Sequence, residues 1–380
     1  MEKKFSGERL IAAREARCIN GAGLAELIGV TRSAISQYER GQKKPSNDVL
    51  MRLAEKLNLR PHYFYQRQLS TNGPVFYRSL AAATKASRKR AQRRYEWLRE
   101  LVEAVDSYVE LPALRMPSFD LDYKLLTDEE IETLAKDTRR FFGLSDGPIS
   151  NVAWLLENHG FILARHNLAS AKLDAFSNRP TKNQAFVILG SEKKSAVRSR
   201  FDASHELGHL VLHQNVTTDD LKDKSLFKMI EHQANRFAGA FLLPRATFLS
   251  EVSQIGLDGF LSLKERWGGA VALMVKRCSD LELISPAAAK RMWINIGRRG
   301  WRKAEPLDNT LPIENPRLIF RAFEILRSSD AGAFSAFSSQ MPWLEYEIQE
   351  LIGDLNFRVE ESKKIAAPEP RVIKFPTTID

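Results

Sequence analysis

Apolar side chains over residues 8–60 recur at intervals of three and four, the period of amphipathic helices. They fall into four segments, "ERLIAAREARC", "GLAELIGV", "TRSAISQYERG" and "SNDVLMRLAEKLNL", which are bounded by Gly, Pro, Ser or Asn. The next passage, up to about Pro117, is aromatic and basic and then shows a helical stripe over residues 98–105. We predict a small all-helical domain and then a connector with one long helix.

The pattern changes in the middle of the chain. Thr127 and Glu130 have the spacing of a capping box, which predicts a helix that runs to Phe142 and ends before a glycine. Another helix is predicted near residues 149–158. Three short apolar runs, "GFILARHN", "KLDAFSN" and "AFVILG", are separated by polar turns and predict three strands. Because the rest is again mostly helical, the predicted fold class is mainly α with a small β-sheet.

The charge and the cysteine content indicate which kind of partner and which cellular compartment to expect. The chain of 380 residues carries 57 Lys and Arg against 47 Asp and Glu, a formal net charge of +10. Since a positive field attracts phosphate backbones, nucleic acid is the first candidate partner. Two cysteines, Cys18 and Cys278, indicate neither a disulfide framework nor a thiolate metal site. With no export signal and no long apolar run, we expect a cytoplasmic protein without a membrane partner.

The first motif is "GLAELIGVTRSAISQYERGQKKPS". Leu24, Leu27 and Ile28 share one side of a short helix, a glycine permits the tight turn that follows, and Thr31 can cap the next helix. Exposed polar side chains on that second helix suit base edges and phosphates in a major groove. The candidate DNA-binding residues are Arg32, Ser33, Ser36, Gln37 and Arg40. Such modules also serve as docking or dimerisation units, but the excess of basic over acidic residues favours DNA binding.

The second motif is "FDASHELGHLVLH", residues 201–213. On a helix, His205 and His209 lie one turn apart on the same face, so both can bind one ion. Glu206 lies beside them, where its carboxylate can take a proton from water and later pass it to a leaving amine. His213 lies about 12 Å from His205 along the helix axis, so it cannot share that ion and is expected to pack or to support it. A catalytic zinc ion therefore needs a third ligand from elsewhere.

The third ligand is expected from "MIEHQANRFAGAFLLP", residues 229–244. Glu231 and Asn235 are four apart, so one helix face can present a carboxylate ligand and an acceptor for the N–H of a ligating histidine. His232 is the competing ligand, and Glu231 is favoured because Asn235 then takes the supporting position. A metzincin-type third histidine is excluded, since its position is Asn215. A buried helix whose histidines are only structural is the alternative interpretation.

Both motifs resemble known families. "LAELIGVTRSAISQYERG" with "KKPSNDVLMRLAEKLNL" resembles the Cro/repressor-like (XRE) helix-turn-helix family over residues 8–64. "HELGHLVLH" followed by "EHQANRFAGAFLLP" resembles the ImmA/IrrE family of metallopeptidases, and this resemblance covers most of residues 60–310. It implies an α+β zincin-like fold and cleavage of a transcriptional repressor. It also implies three zinc ligands and a general base, at His205, His209 and Glu231 and at Glu206.

The function predicted from these features is a DNA-binding transcriptional regulator with a zinc metalloendopeptidase domain of the HExxH type. Its partners are double-stranded DNA and a protein substrate, either a repressor or the protein's own linker. A homodimer is expected because paired half-sites need paired recognition helices. The alternative is a DNA-binding regulator or antitoxin-like protein whose metal site is sensory or structural and does not turn over.

Five segments are predicted along the chain. They are the helix-turn-helix domain (1–68), the basic helical connector (69–120), the zincin-like metallopeptidase domain (121–255), a helical C-terminal subdomain (256–355) and an irregular tail (356–380).

Overall fold

Helices dominate the computed structural model, and a small sheet lies in the middle of the chain. The structure describes residues 4–67, 75–77, 84–170, 173–192, 195–353 and 373–374. The helices within these residues are α1 (Gly7–Glu15), α2 (Gly21–Ile28), α3 (Arg32–Glu39), α4 (Asn47–Lys56), α5 (Lys85–Asp106), α6 (Asp128–Phe141), α7 (Val152–Asn158), α8 (Ala196–Leu212), α9 (Lys224–Leu242), α10 (Arg245–Glu251), α11 (Leu257–Trp267), α12 (Val271–Asp280), α13 (Pro286–Arg298), α14 (Leu318–Ser329), α15 (Ala331–Gln340) and α16 (Glu345–Ile352). The strands are β1 (Val75–Tyr77), β2 (Val109–Glu110), β3 (Ile162–His166), β4 (Ala175–Thr181), β5 (Gln184–Gly190) and β6 (Ile373–Lys374).

Each of the first four helices begins at a side-chain cap. Ser6, Asn20, Thr31 and Ser46 accept a backbone N–H of the helix that follows them. Such caps stabilise a helix by about 1 kcal/mol each. Gly29 ends α2 in the left-handed region at φ 66°, which is the turn that the sequence predicts between α2 and α3. The predicted all-helical N-terminal domain is thereby confirmed.

The N-terminal helices are fixed to α5 by buried polar contacts. The Arg9 guanidinium is 2% exposed and donates to the Glu100 carboxylate over 2.8 Å. The indole N–H of Trp97 donates to the hydroxyl of Tyr63 over 3.0 Å, and both rings are buried. Helices α1–α4 therefore share one apolar core with α5 and α14–α16.

The central sheet has the strand order β1-β4-β5-β3. Strand β4 is antiparallel to β1 and β5, whereas β3 and β5 are parallel. Alternation along β5 directs Phe186 and Ile188 into the core shared with α5, and Val187 and Leu189 into a second core. Because both faces of the sheet are covered, the side chains on both faces of β5 are apolar. This explains the continuous apolar run "AFVILG" in the sequence. The three strands predicted from the sequence correspond to β3, β4 and β5.

The second core lies under the other face of the sheet. It contains buried side chains of α6–α13, including Leu207, Phe237, Phe241 and Trp267. The predicted capping box is present at the start of α6, where Thr127 and Glu130 bond to each other's backbone N–H. None of the described helices combines the length and the apolar character needed to span a bilayer.

The predicted domain boundaries stay a prediction. Helices α11–α13 belong to the second core, whereas α14–α16 pack into the first core with the N-terminal helices. The irregular tail predicted for residues 356–380 lies outside the described residues, except that β6 pairs in parallel with β2.

Candidate metal centre and nucleic-acid interface

Helix α8 carries the HExxH residues through the middle of the second core, and almost all of its residues are buried. It packs closely against α9 at Gly208. A Cβ atom on Gly208 would lie 3.1 Å from Cδ1 of Phe237 and 3.3 Å from Cα of Ala234. The glycine therefore allows the two helices that carry the predicted ligands to approach each other.

His205, His209 and Glu231 meet at this crossing. The Nε2 atoms of His205 and His209 are 2.9 Å apart. The Glu231 carboxylate lies 3.6 Å from Nε2 of His205 and 3.3 Å from Nε2 of His209. One ligand atom from each residue lies within 4.8 Å of the others. Both imidazoles are buried, and the Glu231 side chain is 17% exposed, so solvent reaches the cluster from the side of Glu231.

Asn235 lies behind His205, one helical turn after Glu231. Its Oδ1 is 3.1 Å from Nδ1 of His205. Because an amide oxygen only accepts, Nδ1 of His205 carries the proton and its Nε2 lone pair points at the cluster. Converging lone pairs and a carboxylate repel one another, and a divalent cation relieves that repulsion. This donor set of two imidazoles and one carboxylate therefore fits zinc.

Glu206 is fully buried and faces β4. The Ser177 hydroxyl donates to Oε2 of Glu206 over 2.6 Å. The bond fixes the direction of the carboxylate beside the two histidines. The sequence analysis missed Ser177, since a serine 29 residues before Glu206 in a short strand carries no local signal.

His213 and His232 lie outside the cluster. His213 is fully buried, with Nδ1 3.0 Å from Nδ1 of His209 and Nε2 2.9 Å from Oε1 of Gln233. Burial lowers the pKa of His213 to about 3, so the ring is neutral. The His232 side chain is half exposed and its Nε2 lies 3.1 Å from a carboxylate oxygen of Asp128. The competing ligand considered in the sequence analysis therefore points away from the cluster.

A cavity of about 590 Å³ adjoins the cluster. Phe201, Asn235, Trp293, Ile296 and Trp301 are among the residues that line it. The ring of Phe201 lies 6.2 Å from that of His205, measured between centroids. The cavity thus borders Asn235, which contacts the proposed ligand His205, and its wall combines apolar, aromatic and charged side chains.

The five residues predicted to contact DNA all lie on or next to α3. The Thr31 hydroxyl accepts the N–H of Ala34 over 3.1 Å, and the buried Ile35 holds the helix against the N-terminal core. Of the five residues, Arg32, Ser33 and Arg40 are exposed, and Ser36 and Gln37 are half-buried.

The basic run at the start of α5 has partners within the protein. Lys89 and Arg93 form ion pairs with Glu15 of α1. Arg94 forms an ion pair with Glu347 of α16 over 2.7 Å. These cations therefore contribute to the contact between helices.

Two family models match separate parts of the chain. Residues 10–64 match the helix-turn-helix model, and residues 156–279 match the IrrE N-terminal-like domain of the M78 peptidases. The chain thus contains an XRE-type helix-turn-helix domain followed by an IrrE/ImmA-like peptidase domain, as the sequence motifs predict. The second match covers β3–β5, α8 and α9, and the cluster lies on α8 and α9.

Two phage proteins are similar to part of the chain. Repressor protein C2 of Salmonella phage P22 is 32% identical over 77 residues, which are 20% of this chain and 36% of the phage protein. The uncharacterized immunity region protein 2 of Bacillus phage phi105 is 38% identical over 65 residues, which are 17% of this chain and 40% of the phage protein. The chain therefore matches little more than a third of each relative. The two domains and these similarities support a DNA-binding regulator with a metallopeptidase-type domain.

Proposed function

We propose that this protein is a DNA-binding transcriptional regulator whose zinc-dependent endopeptidase domain cleaves a protein substrate, a transcriptional repressor. The observation that carries the proposal is the convergence of His205, His209 and Glu231 within 4.8 Å, on two helices that cross beside the buried Glu206. Three protein ligands are the number found in catalytic zinc sites, whereas structural sites have four. The cluster found among the described residues has three.

In peptide hydrolysis, the metal site, Glu206 and Ser177 then have separate tasks. A bound zinc ion supplies Lewis acidity that polarises a peptide carbonyl and acidifies water. Glu206 accepts the proton of the attacking water, whose oxygen bonds to the carbonyl carbon. Glu206 then donates that proton to the amide nitrogen as the C–N bond breaks. Ser177 holds the second carboxylate oxygen of Glu206, so that the carboxylate keeps one orientation.

The cavity next to Phe201 suggests what part of the substrate binds there. Its walls include Trp293 and Trp301, and its volume of about 590 Å³ is large enough for a bulky side chain. We propose that it receives a large apolar side chain of the polypeptide next to the cleaved bond.

The DNA-binding part of the proposal rests on α3. Its exposed Arg32 and Arg40 suit phosphates and guanine edges, and Ser36 and Gln37 suit base edges. We propose that α3 enters a major groove and that a homodimer presents two such helices. A regulator held on DNA is concentrated near a repressor that is bound close by.

Substitution of Glu206 by Gln tests the hydrolytic part. The variant keeps the shape of the side chain and its contact with Ser177 but cannot accept a proton. We expect cleavage to fall by about 10²–10⁴-fold. After expression of the wild type or Glu206→Gln, mass spectrometry of protein N-termini should show new termini only with the wild type. The repressor that carries such a terminus is then cleaved in purified form.

The same set of N-termini with both proteins, with Glu206→Gln folded and zinc-bound, would contradict the proposal. It would favour the alternative, a DNA-binding regulator whose metal site senses or stabilises without turnover.

A further inference from the structure

A line of buried hydrogen bonds runs away from the metal cluster behind His209. His209 contacts His213, His213 contacts Gln233, and Gln233 donates to the backbone carbonyl of Tyr123 over 2.7 Å. His209, His213 and Gln233 are at most 2% exposed. The line joins the consecutive helices α8 and α9 to the segment before α6, in which Tyr123 lies 110 residues before Gln233.

The carbonyl at the end of the line fixes the direction of every bond in it. A backbone carbonyl only accepts, so the amide NH₂ group of Gln233 faces Tyr123 and its Oε1 faces His213. Oε1 also only accepts, so Nε2 of His213 carries a proton and donates it. A neutral imidazole has one N–H, so Nδ1 of His213 is an acceptor.

The remaining bond follows from the same rule. The two Nδ1 atoms of His209 and His213 are 3.0 Å apart, which is a hydrogen-bond distance. Since Nδ1 of His213 accepts, Nδ1 of His209 donates. The Nε2 atom of His209 then carries a lone pair, and that atom lies 2.9 Å from Nε2 of His205 and 3.3 Å from Glu231.

We propose that His213 and Gln233 are positioning residues that hold His209 in the tautomer protonated at Nδ1, with its Nε2 lone pair directed at the metal site. This inference rests on the proposed function, because it assigns these residues a role toward the same metal site. Neither residue touches the ion or the substrate.

The two ligating histidines then have matching support from different residues. Asn235 accepts the N–H of His205 with an amide oxygen, and His213 accepts the N–H of His209 with an imidazole nitrogen. A hydrogen bond to the second ring nitrogen fixes both the tautomer and the ring orientation of a ligating histidine. Packing alone would require neither an acceptor at position 213 nor a fixed amide direction at position 233.

The tautomer can be measured directly in the metal-free protein. Full-length wild-type protein is labelled with ¹⁵N at histidine, and long-range ¹H–¹⁵N correlations are recorded, with His209 assigned from a His209→Gln variant. We expect Nδ1 of His209 to carry a proton, which it donates to Nδ1 of His213. A His209 ring whose Nδ1 carries no proton would overturn the inference. This result is independent of zinc binding, so it is distinguishable from failure of the proposed function.

Variants of His213 measure what the contact contributes to metal binding. His213→Leu removes the acceptor, and zinc affinity, measured by competition with a chelator, should fall about 10–100-fold. His213→Asn places an amide oxygen near the former Nδ1 atom, so its affinity should stay close to that of the wild type. Gln233→Leu should also weaken zinc binding, because it frees the orientation of His213.

A buried histidine elsewhere provides the matched control. His166 on β3 is 1% exposed, and its Nε2 lies 2.8 Å from the carbonyl of Leu351. His166→Leu should leave zinc affinity unchanged, with folding of each variant checked by circular dichroism. Equal weakening by His166→Leu and His213→Leu, or wild-type affinity in His213→Leu, would overturn the inference.

Discussion

The histidines of this protein show how the surroundings of a side chain set its role. His205 and His209 point their Nε2 atoms at one place because Asn235 and His213 lie at their Nδ1 atoms. His232 lies next to Glu231 in sequence but pairs with Asp128 outside the cluster. Histidine therefore has one proposed role at positions 205 and 209 and a different one at positions 213 and 232.

Glu157 gives a prediction about pH at the scale of one residue. It is buried, and its carboxylate accepts the backbone N–H groups of Arg317 and Leu318 at the start of α14. Burial raises its pKa to about 7, although the two N–H groups act in the opposite direction. Between pH 4.5 and 7 the folded protein holds a proton that the unfolded chain has lost. Stability from this group is therefore lost as the pH rises through that window.

The measurement is urea unfolding of the wild type and Glu157→Gln from pH 4.5 to pH 8. Relative to the variant, the wild type should lose a free energy of unfolding on the order of 3 kcal/mol across the window. Glu130→Gln is the control, since hydrogen bonds from Thr127 lower the pKa of Glu130 and its contribution is lost as the pH falls. A pH-independent difference between the wild type and Glu157→Gln would contradict the prediction.

At the scale of elements, the proposed site depends on how α8 crosses α9. Gly208 lies at the crossing, and its position between two histidine ligands makes the helix spacing part of the metal geometry. The crossing brings residues 205, 209 and 231 together although α8 and α9 are separate in sequence.

Gly208→Ala should therefore disturb the site without removing a ligand. A methyl group 3.1 Å from Phe237 and 3.3 Å from Ala234 forces the helices apart, which costs about 1–3 kcal/mol of stability. We also expect weaker zinc binding. Gly239→Ala on α9 is the matched control, because its Cβ atom meets neighbours at 3.8 Å or more. If both variants melt and bind zinc like the wild type, this account of Gly208 is wrong.

The sequence predicted those elements whose signals are local. The capping box at Thr127 and Glu130, the turn at Gly29 and the apolar runs of β3–β5 each lie within a few residues. Strand β1 was not predicted, because its pairing with β4 joins segments about 100 residues apart. The three residues are too few for a periodic pattern.

The same limit applies to the candidate site. The spacing of His205, Glu206 and His209 is a local signal for one helix, and Glu231 with Asn235 is a local signal for the next. The contacts of Ser177 with Glu206 and of Gln233 with His213 join residues 29 and 20 positions apart. No sequence spacing predicts such contacts, because they depend on how the helices pack against each other and against the sheet.

At the scale of the whole molecule, the sheet separates two apolar cores. The helices of the helix-turn-helix domain belong to one core, and the proposed metal ligands lie in helices of the other. Helix α5 packs against α1 and against α14–α16. The helix-turn-helix domain therefore packs against the rest of the protein through buried contacts.

Loss of the Arg9 contact should weaken the interface between the helix-turn-helix domain and α5. Arg9→Ala breaks the ion pair with Glu100 in a largely buried place, at a cost of about 3–5 kcal/mol. Thermal unfolding followed by calorimetry should show a lower melting temperature for the N-terminal helices. Lys222→Ala removes an exposed ion pair with Asp219 and should have little effect. Equal melting of the two variants would contradict this account of the interface.

The central claim, a metal site made by His205, His209 and Glu231, is tested most directly by zinc content. Elemental analysis compares the folded wild type with His205→Ala, Glu231→Ala and the control His232→Ala. We predict one zinc ion per chain in the wild type and in His232→Ala, and its loss in the other two variants. Retention of zinc in Glu231→Ala with loss in His232→Ala would place the third ligand elsewhere, and a zinc-free wild type after reconstitution would contradict the claim.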